Sequence, residues 1–107
     1  MTIALLPPVD ALLAAIHRGD VDAFLALFHA DGLVNDWGSR YVGHAQIRRW
    51  SDREFIGKQV SLAVTGTTIS AGEVGISADV GGQGFNGPSH FVFVIDGSRI
   101  REMRITA

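Results

Sequence analysis

The hydrophobic pattern of this chain changes period at Gly57, and that change does most to limit what it can fold into. Before Gly57 apolar residues recur three and four apart; after it they alternate with polar ones. Val9, Leu12, Leu13 and Ile16 mark one face of a first helix. Pro7 and Pro8 suit its entry, where a missing N–H costs nothing, and Gly19 suits its left-handed exit. His17 and Arg18 fall in the last turn, where positive charge complements the helix dipole. Asp20 is placed to cap a second helix, in which Val21, Phe24, Leu25 and Phe28 repeat the spacing and Leu27 widens the stripe. A short strand is expected from Gly32 to Asp36, then a turn at Gly38-Ser39-Arg40 and a return strand at Tyr41-Val42. A third helix follows from His44 to Phe55. Ile47, Trp50 and Phe55 form its apolar edge, Arg48, Arg49, Asp52 and Arg53 face outward, and Gly57 ends it.

Past that point the readings are strands. Val60, Leu62 and Val64 alternate with polar or small residues, Gly72-Glu73 marks a turn, and Ile76, Ala78 and Val80 alternate again. The glycine-rich stretch 81–87, with Pro88, reads as a flexible link. His90 to Ile95 is apolar after its first residue, as expected of a central strand covered on both faces. Asp96-Gly97-Ser98 reads as a hairpin turn. In the last strand, Arg99 to Thr106, Ile100 is out of phase with Met103 and Ile105, which predicts a bulge. Connections this short join antiparallel neighbours. Helices first and strands last define an α+β fold: three helices packed on one face of a curved, mostly antiparallel sheet, in one domain over residues 1–107.

Composition narrows the function. Hydrophobic residues are 47% and charged ones 19%, an apolar balance that predicts a lined cavity, an oligomer interface, or both. A net charge of −2 offers no general attraction to nucleic acid or to an anionic membrane. Without cysteine there is no disulfide, thiol nucleophile or thiolate metal site. The four histidines lack metal-ligand spacing, so no metal is expected, and the glycines at 81–87 lack the Lys-Ser/Thr of a phosphate loop. The opening M-T-I-A-L-L has no basic residues and is cut short by Pro7-Pro8, unlike a signal peptide. No apolar run reaches the roughly 18 residues of a membrane span. A cytoplasmic protein is expected.

Four segments in this order resemble the nuclear transport factor 2-like superfamily, which includes ketosteroid isomerases and SnoaL-like polyketide cyclases. They are G-D-V-D-A-F-L-A-L-F-H-A-D-G-L-V-N-D at 19–36, G-H-A-Q-I-R-R-W at 43–50, V-T-G at 64–66 and D-G-S-R-I-R-E-M-R-I at 96–105. The resemblance implies a cone of helices and sheet open at one end, as in the cystatin-like roll, and a homodimer formed through the sheet face. It also implies that Asp36, the acid ending the first strand, is a general base that moves a proton beside a carbonyl. A carboxylate among apolar groups loses solvation and becomes a better base. Two departures stand out. Where isomerase-like relatives carry a tyrosine and a protonated acid as oxyanion donors, this chain has Leu12 and Phe91. Steroid isomerisation of the familiar kind is therefore not expected, since loss of one such donor costs about a hundredfold or more in rate. Nor do the late strands, with Arg101 and Arg104, offer a second aspartate for an epoxide-opening Asp-Arg-Asp relay.

Each candidate also has a plainer role. Asp36 fits a pocket acid, but also a turn-former bonded near Gly38 or a surface partner of Arg40. Trp37 and Trp50 fit a cavity wall for a cyclic ligand, or simply core. Tyr41, the only tyrosine, fits a phenol donor or a rim aromatic in water; Phe91 and Ile105 fit the substrate-facing wall. His90 is suited to titration near neutrality, but strand alternation turns it away from Phe91 and Phe93, toward a subunit contact. His17, His29 and His44 read as surface or capping residues, and Arg99, Arg101 and Arg104 as a strand rim. The expectation is a cofactor-independent isomerase, cyclase or dehydratase acting on a small apolar or cyclic organic ligand. The alternatives are a non-catalytic binder of such a ligand and a dimeric protein-interaction module.

Overall fold

A computed structural model describes residues 8–106; the opening apolar run and Pro7 lie outside the described residues. Helix α1 spans Val9–Arg18 and buries Val9, Leu12, Leu13, Ala15 and Ile16, the face its spacing predicts. Gly19 ends it at φ 70°, with its N–H returning to the Ile16 carbonyl at 3.1 Å. The Asp20 carboxylate accepts the Ala23 N–H at 3.0 Å and starts α2, Val21–Ala26.

Helix α2 is only six residues long. Phe28, expected in its stripe, instead opens strand β1, Phe28–Asp36, which starts well before Gly32. The reason is tertiary: Phe28 pairs with Ile100, whose N–H donates to the Leu27 carbonyl at 2.8 Å. The sheet thus claims the backbone before helical propensity can extend. A register shift between Phe28 and Leu33 absorbs the early start.

Strand β2, Ser39–Val42, pairs back on β1 with Asp36 opposite Ser39. The turn is therefore Trp37-Gly38, and Arg40 belongs to the strand. Both turn residues have positive φ, 53° and 91°, as in a type I′ hairpin. Helix α3, Gly43–Glu54, buries Ile47, Trp50 and Ser51, and its chain continues through a 3-10 turn, Ile56–Lys58. Gly57 lies inside that turn rather than terminating the helix: a Cβ there would stand 1.8 Å from the Asp52 carbonyl oxygen. Glycine is required because the chain folds back against the last turn of α3.

Strands β3 (Ser61–Ser70), β4 (Glu73–Gly81), β5 (Gly87–Asp96) and β6 (Arg99–Thr106) form an antiparallel meander. The six-stranded sheet has the order β2-β1-β6-β5-β4-β3, with β1 and β6 parallel. The expected bulge is present: Val94 opposes Glu102 but Ile95 opposes Ile100. Two expectations are corrected. Strand β5 is covered on one face only, with Ser89, Phe91 and Phe93 buried, His90 exposed, and Val92 and Val94 half-buried. The 82–86 link is pinned, since the Gln83 N–H donates to the Lys58 carbonyl at 2.8 Å and Asn86 Nδ2 donates to the Gly82 and Gly84 carbonyls.

The core lies between the helices and the covered sheet face, with Leu12, Phe24, Ile47, Trp50, Ile76, Phe93, Ile100 and Met103 buried. The architecture is α+β, as the change of period predicts. Among the described residues no helix is long and apolar enough to cross a membrane.

Candidate active site

Strand register assembles the site. Asp36 is paired with Ile105 across β1 and β6, and Ile105 with Phe91 across β6 and β5. Directly opposed residues share a sheet face, so these three side chains stand in a row on the covered side. From the helical side Trp50 reaches down to this row, and its indole Nε1–H donates to Asp36 Oδ2 at 3.0 Å. The Trp50 ring in turn stacks on Phe55, with centroids 4.8 Å apart.

Between the row and α3 lies a cavity of about 230 Å³. Asp36, Trp37, Trp50, Phe91 and Ile105, five of the residues singled out from the sequence, line it. Asp36 is half-buried there. Its plainer role as a turn-former passes to its neighbour: Asn35 Oδ1 accepts the Gly38 N–H at 2.8 Å. Among the described residues Asp36 makes no salt bridge with Arg40. The carboxylate is left with one indole donor in a largely apolar cavity, an arrangement suited to accepting and returning a proton.

Trp37 is 60% exposed and sits at the mouth with Phe85, 55% exposed. Its φ of 53° is unusual, because hairpins of this type favour Asn or Gly at that position. A bulky aromatic held in the left-handed region carries backbone strain of about 1–3 kcal/mol that the surrounding structure must offset.

Tyr41 does not line the cavity. It lies two residues along β2 from the partner of Asp36, pairs with Val34, and places its ring 6.0 Å from that of Trp50. His90 is exposed on the opposite sheet face, as alternation predicts, with Nδ1 3.0 Å from Ser77 Oγ. The remaining histidines tie elements together: His17 Nε2 accepts the Leu62 N–H, His44 Nε2 meets the Phe28 carbonyl, and His29, in β1 rather than at a helix end, meets the Asp96 carbonyl. Leu12 is fully buried away from the cavity, whereas Phe91 forms part of its wall.

Sequence reasoning missed Ser89, Glu54, Lys58 and Phe85, which also line the cavity. Ser89 was within reach of it: two residues before Phe91 on the same strand, it shares the same face. Lys58 and Phe85 had no local signal. The first is carried in by the 3-10 turn, and the second by the pinned 82–86 link.

The sequence matches the model of the SnoaL-like domain over residues 9–103, and the chain belongs to that family. No curated protein matches it. Its fold is close to that of several solved structures. One is a candidate polyketide cyclase from Sinorhizobium meliloti, 24% identical at TM-score 0.81 over 94% of this chain and 95% of that one. Another is a protein with a ketosteroid isomerase-like fold from Catenulispora acidiphila in complex with trimethylamine, 26% identical at TM-score 0.78 over 95% of this chain and 87% of that one. A third, from Mycobacterium tuberculosis in complex with estradiol-17beta-hemisuccinate, is 15% identical at TM-score 0.79 over 92% of this chain and 89% of that one. The nuclear transport factor 2-like fold expected from the sequence is the observed one.

Proposed function

We propose that this single-domain chain binds a small apolar or cyclic organic molecule in the cavity, and that Asp36 moves a proton on it without a cofactor. The observation that carries this reading is the Asp36 carboxylate in a largely apolar cavity, held by Trp50, with Ile105 beside it and Phe91 next in the row. In the reaction, an Asp36 oxygen takes a proton from the carbon beside a carbonyl while the electron pair moves onto the carbonyl oxygen. The same acid then returns the proton at another position, which gives isomerisation, or sets up cyclisation or dehydration. The fold-level likeness to a candidate cyclase and to a steroid complex supports this class of ligand.

The test is proton–deuterium exchange on a panel of cyclic ketones in D2O, followed by NMR. The native protein is expected to accelerate exchange, and Asp36→Asn to lose about a hundredfold or more of that rate while still binding. Binding without exchange by the native protein would instead establish a non-catalytic carrier. That second reading is favoured by one observation: Leu12 and Phe91 are buried apolar residues where the resemblance places oxyanion donors.

A homodimer through the outer sheet face is part of the same proposal. Val92 and Val94 are half-buried there beside the exposed His90. Sedimentation at twice the 11.5 kDa chain mass supports it, and a persistent monomer excludes it.

A further inference from the structure

Besides Asp36, the cavity is lined by Glu54, Lys58 and Ser89, none of which the proposed reaction uses, and of these only Ser89 is buried. Ser89 lies on β5 in the buried row of Phe91 and Phe93, is 6% exposed, and lines the cavity. Its Oγ is not among the sealed, unpartnered polar atoms of the described residues; it is open to the cavity space that Ser89 lines. A hydroxyl open to a cavity can exchange water for the oxygen of an entering molecule, a bond worth about 0.5–1.5 kcal/mol. Asp36 sits two strands away, its row passing through Ile105 to Phe91, and Ser89 is two residues along β5 from that row. With strands about 4.8 Å apart and about 3.3 Å per residue, the two Cα atoms are about 12 Å apart. Both side chains rise from the same sheet face, so a proton acceptor and a hydroxyl stand about the length of a two-ring molecule apart, once a hydrogen bond at each end is allowed for.

We infer that Ser89 is the ligand's oxygen-binding residue, and that the site selects one- or two-ring compounds bearing a carbonyl or hydroxyl oxygen. This rests on the reading of the cavity as a ligand site and goes further, by naming the donor and the size class. The donor is supplied from the cavity wall two residues before Phe91, so the apolar residues at Leu12 and Phe91 no longer leave the oxygen unsupported. The size class follows from the volume. A cavity of about 150 Å³ accepts a benzene ring, and the 230 Å³ here matches one or two enclosed rings, with any further ring extending past the mouth.

The test follows the indole N–H signal of Trp50 by NMR while 1-tetralone or its oxygen-free counterpart tetralin is added to the full chain. The native protein is expected to bind tetralone about 5- to 10-fold more tightly, the worth of one hydrogen bond. Ser89→Ala removes that preference with tetralin binding unchanged, and Ser89→Thr restores it. Equal binding of the two compounds by the native protein, or a preference that survives in Ser89→Ala, overturns the role of Ser89 and leaves the cavity reading intact. No binding of either compound to folded native protein overturns both. A four-ring steroid ketone that binds as tightly as tetralone overturns the size class.

Discussion

Trp50 holds Asp36: the indole N–H at the middle of α3 donates to the carboxylate at the end of β1, 3.0 Å away. The bond joins the helical layer to the sheet at the one carboxylate on the buried row. Trp50→Phe keeps a ring beside Phe55 but removes the donor. In a double-mutant cycle with Asp36→Ala, read by urea denaturation, a coupling of about 1–2 kcal/mol is expected. Additive effects would show that the two side chains merely lie close.

Trp37 is expected to trade stability for function. Asn tolerates positive φ where a bulky aromatic is strained, and Asn-Gly is a preferred pair for this turn. Trp37→Asn should raise the urea midpoint, by about 1 kcal/mol in stability, and weaken ligand binding at the mouth. A variant with lower stability would show that the Trp37 ring contributes more by packing than its backbone loses by strain.

Gly57 has no room for a side chain. Gly57→Ala forces a Cβ against the Asp52 carbonyl, and the cost should be about 2–3 kcal/mol by chemical denaturation. Because Lys58 and Phe55 flank this turn and line the cavity, ligand affinity should fall with it. Gly72→Ala, at a turn where a Cβ meets nothing within 4 Å, isolates backbone strain alone and should cost less.

The Asp20 cap gives stability a dependence on pH. The Ala23 N–H bonded to its carboxylate, with Arg18 nearby, holds its pKa below the ordinary 3.8. The folded state therefore binds this proton less readily than the unfolded chain. The contribution is present in full above the unfolded value and is lost as pH falls through the lower folded one. Asp20→Ala should lower the melting temperature at pH 7, and the gap from native should close progressively below pH 3.8. A gap that is constant with pH would assign the loss to something other than the carboxylate.

The layout of the fold could be read from local pattern wherever the pattern was strong. The α1 stripe, the Gly19 exit, the Asp20 cap and the Ile100 bulge are signals carried by neighbouring residues. Failures came where distant backbone decided the outcome. Phe28 carries a helical spacing but pairs with Ile100 far along the chain. Gly57 looks like a helix stop, yet it serves a close approach. For the candidate site, Asp36 was singled out as a strand end and by the resemblance, Trp37 and Trp50 as large aromatics, and Phe91 and Ile105 as strand positions; all five line one cavity. Tyr41, near Asp36 in sequence, packs beside Trp50 and lines no part of the cavity.

The order of residues alone determined the three helices and six strands, the Gly19 exit and Asp20 cap, and the apolar face of α1, because those depend on local residues and on periods of two and 3.6. Tertiary structure alone decided that Ser89, Lys58 and Phe85 share a chamber with Asp36. That meeting depends on register across β1, β6 and β5 and on the pinned link after β4. Side chains dozens of residues apart are brought together by backbone pairing, and no local period encodes which strand will lie beside which.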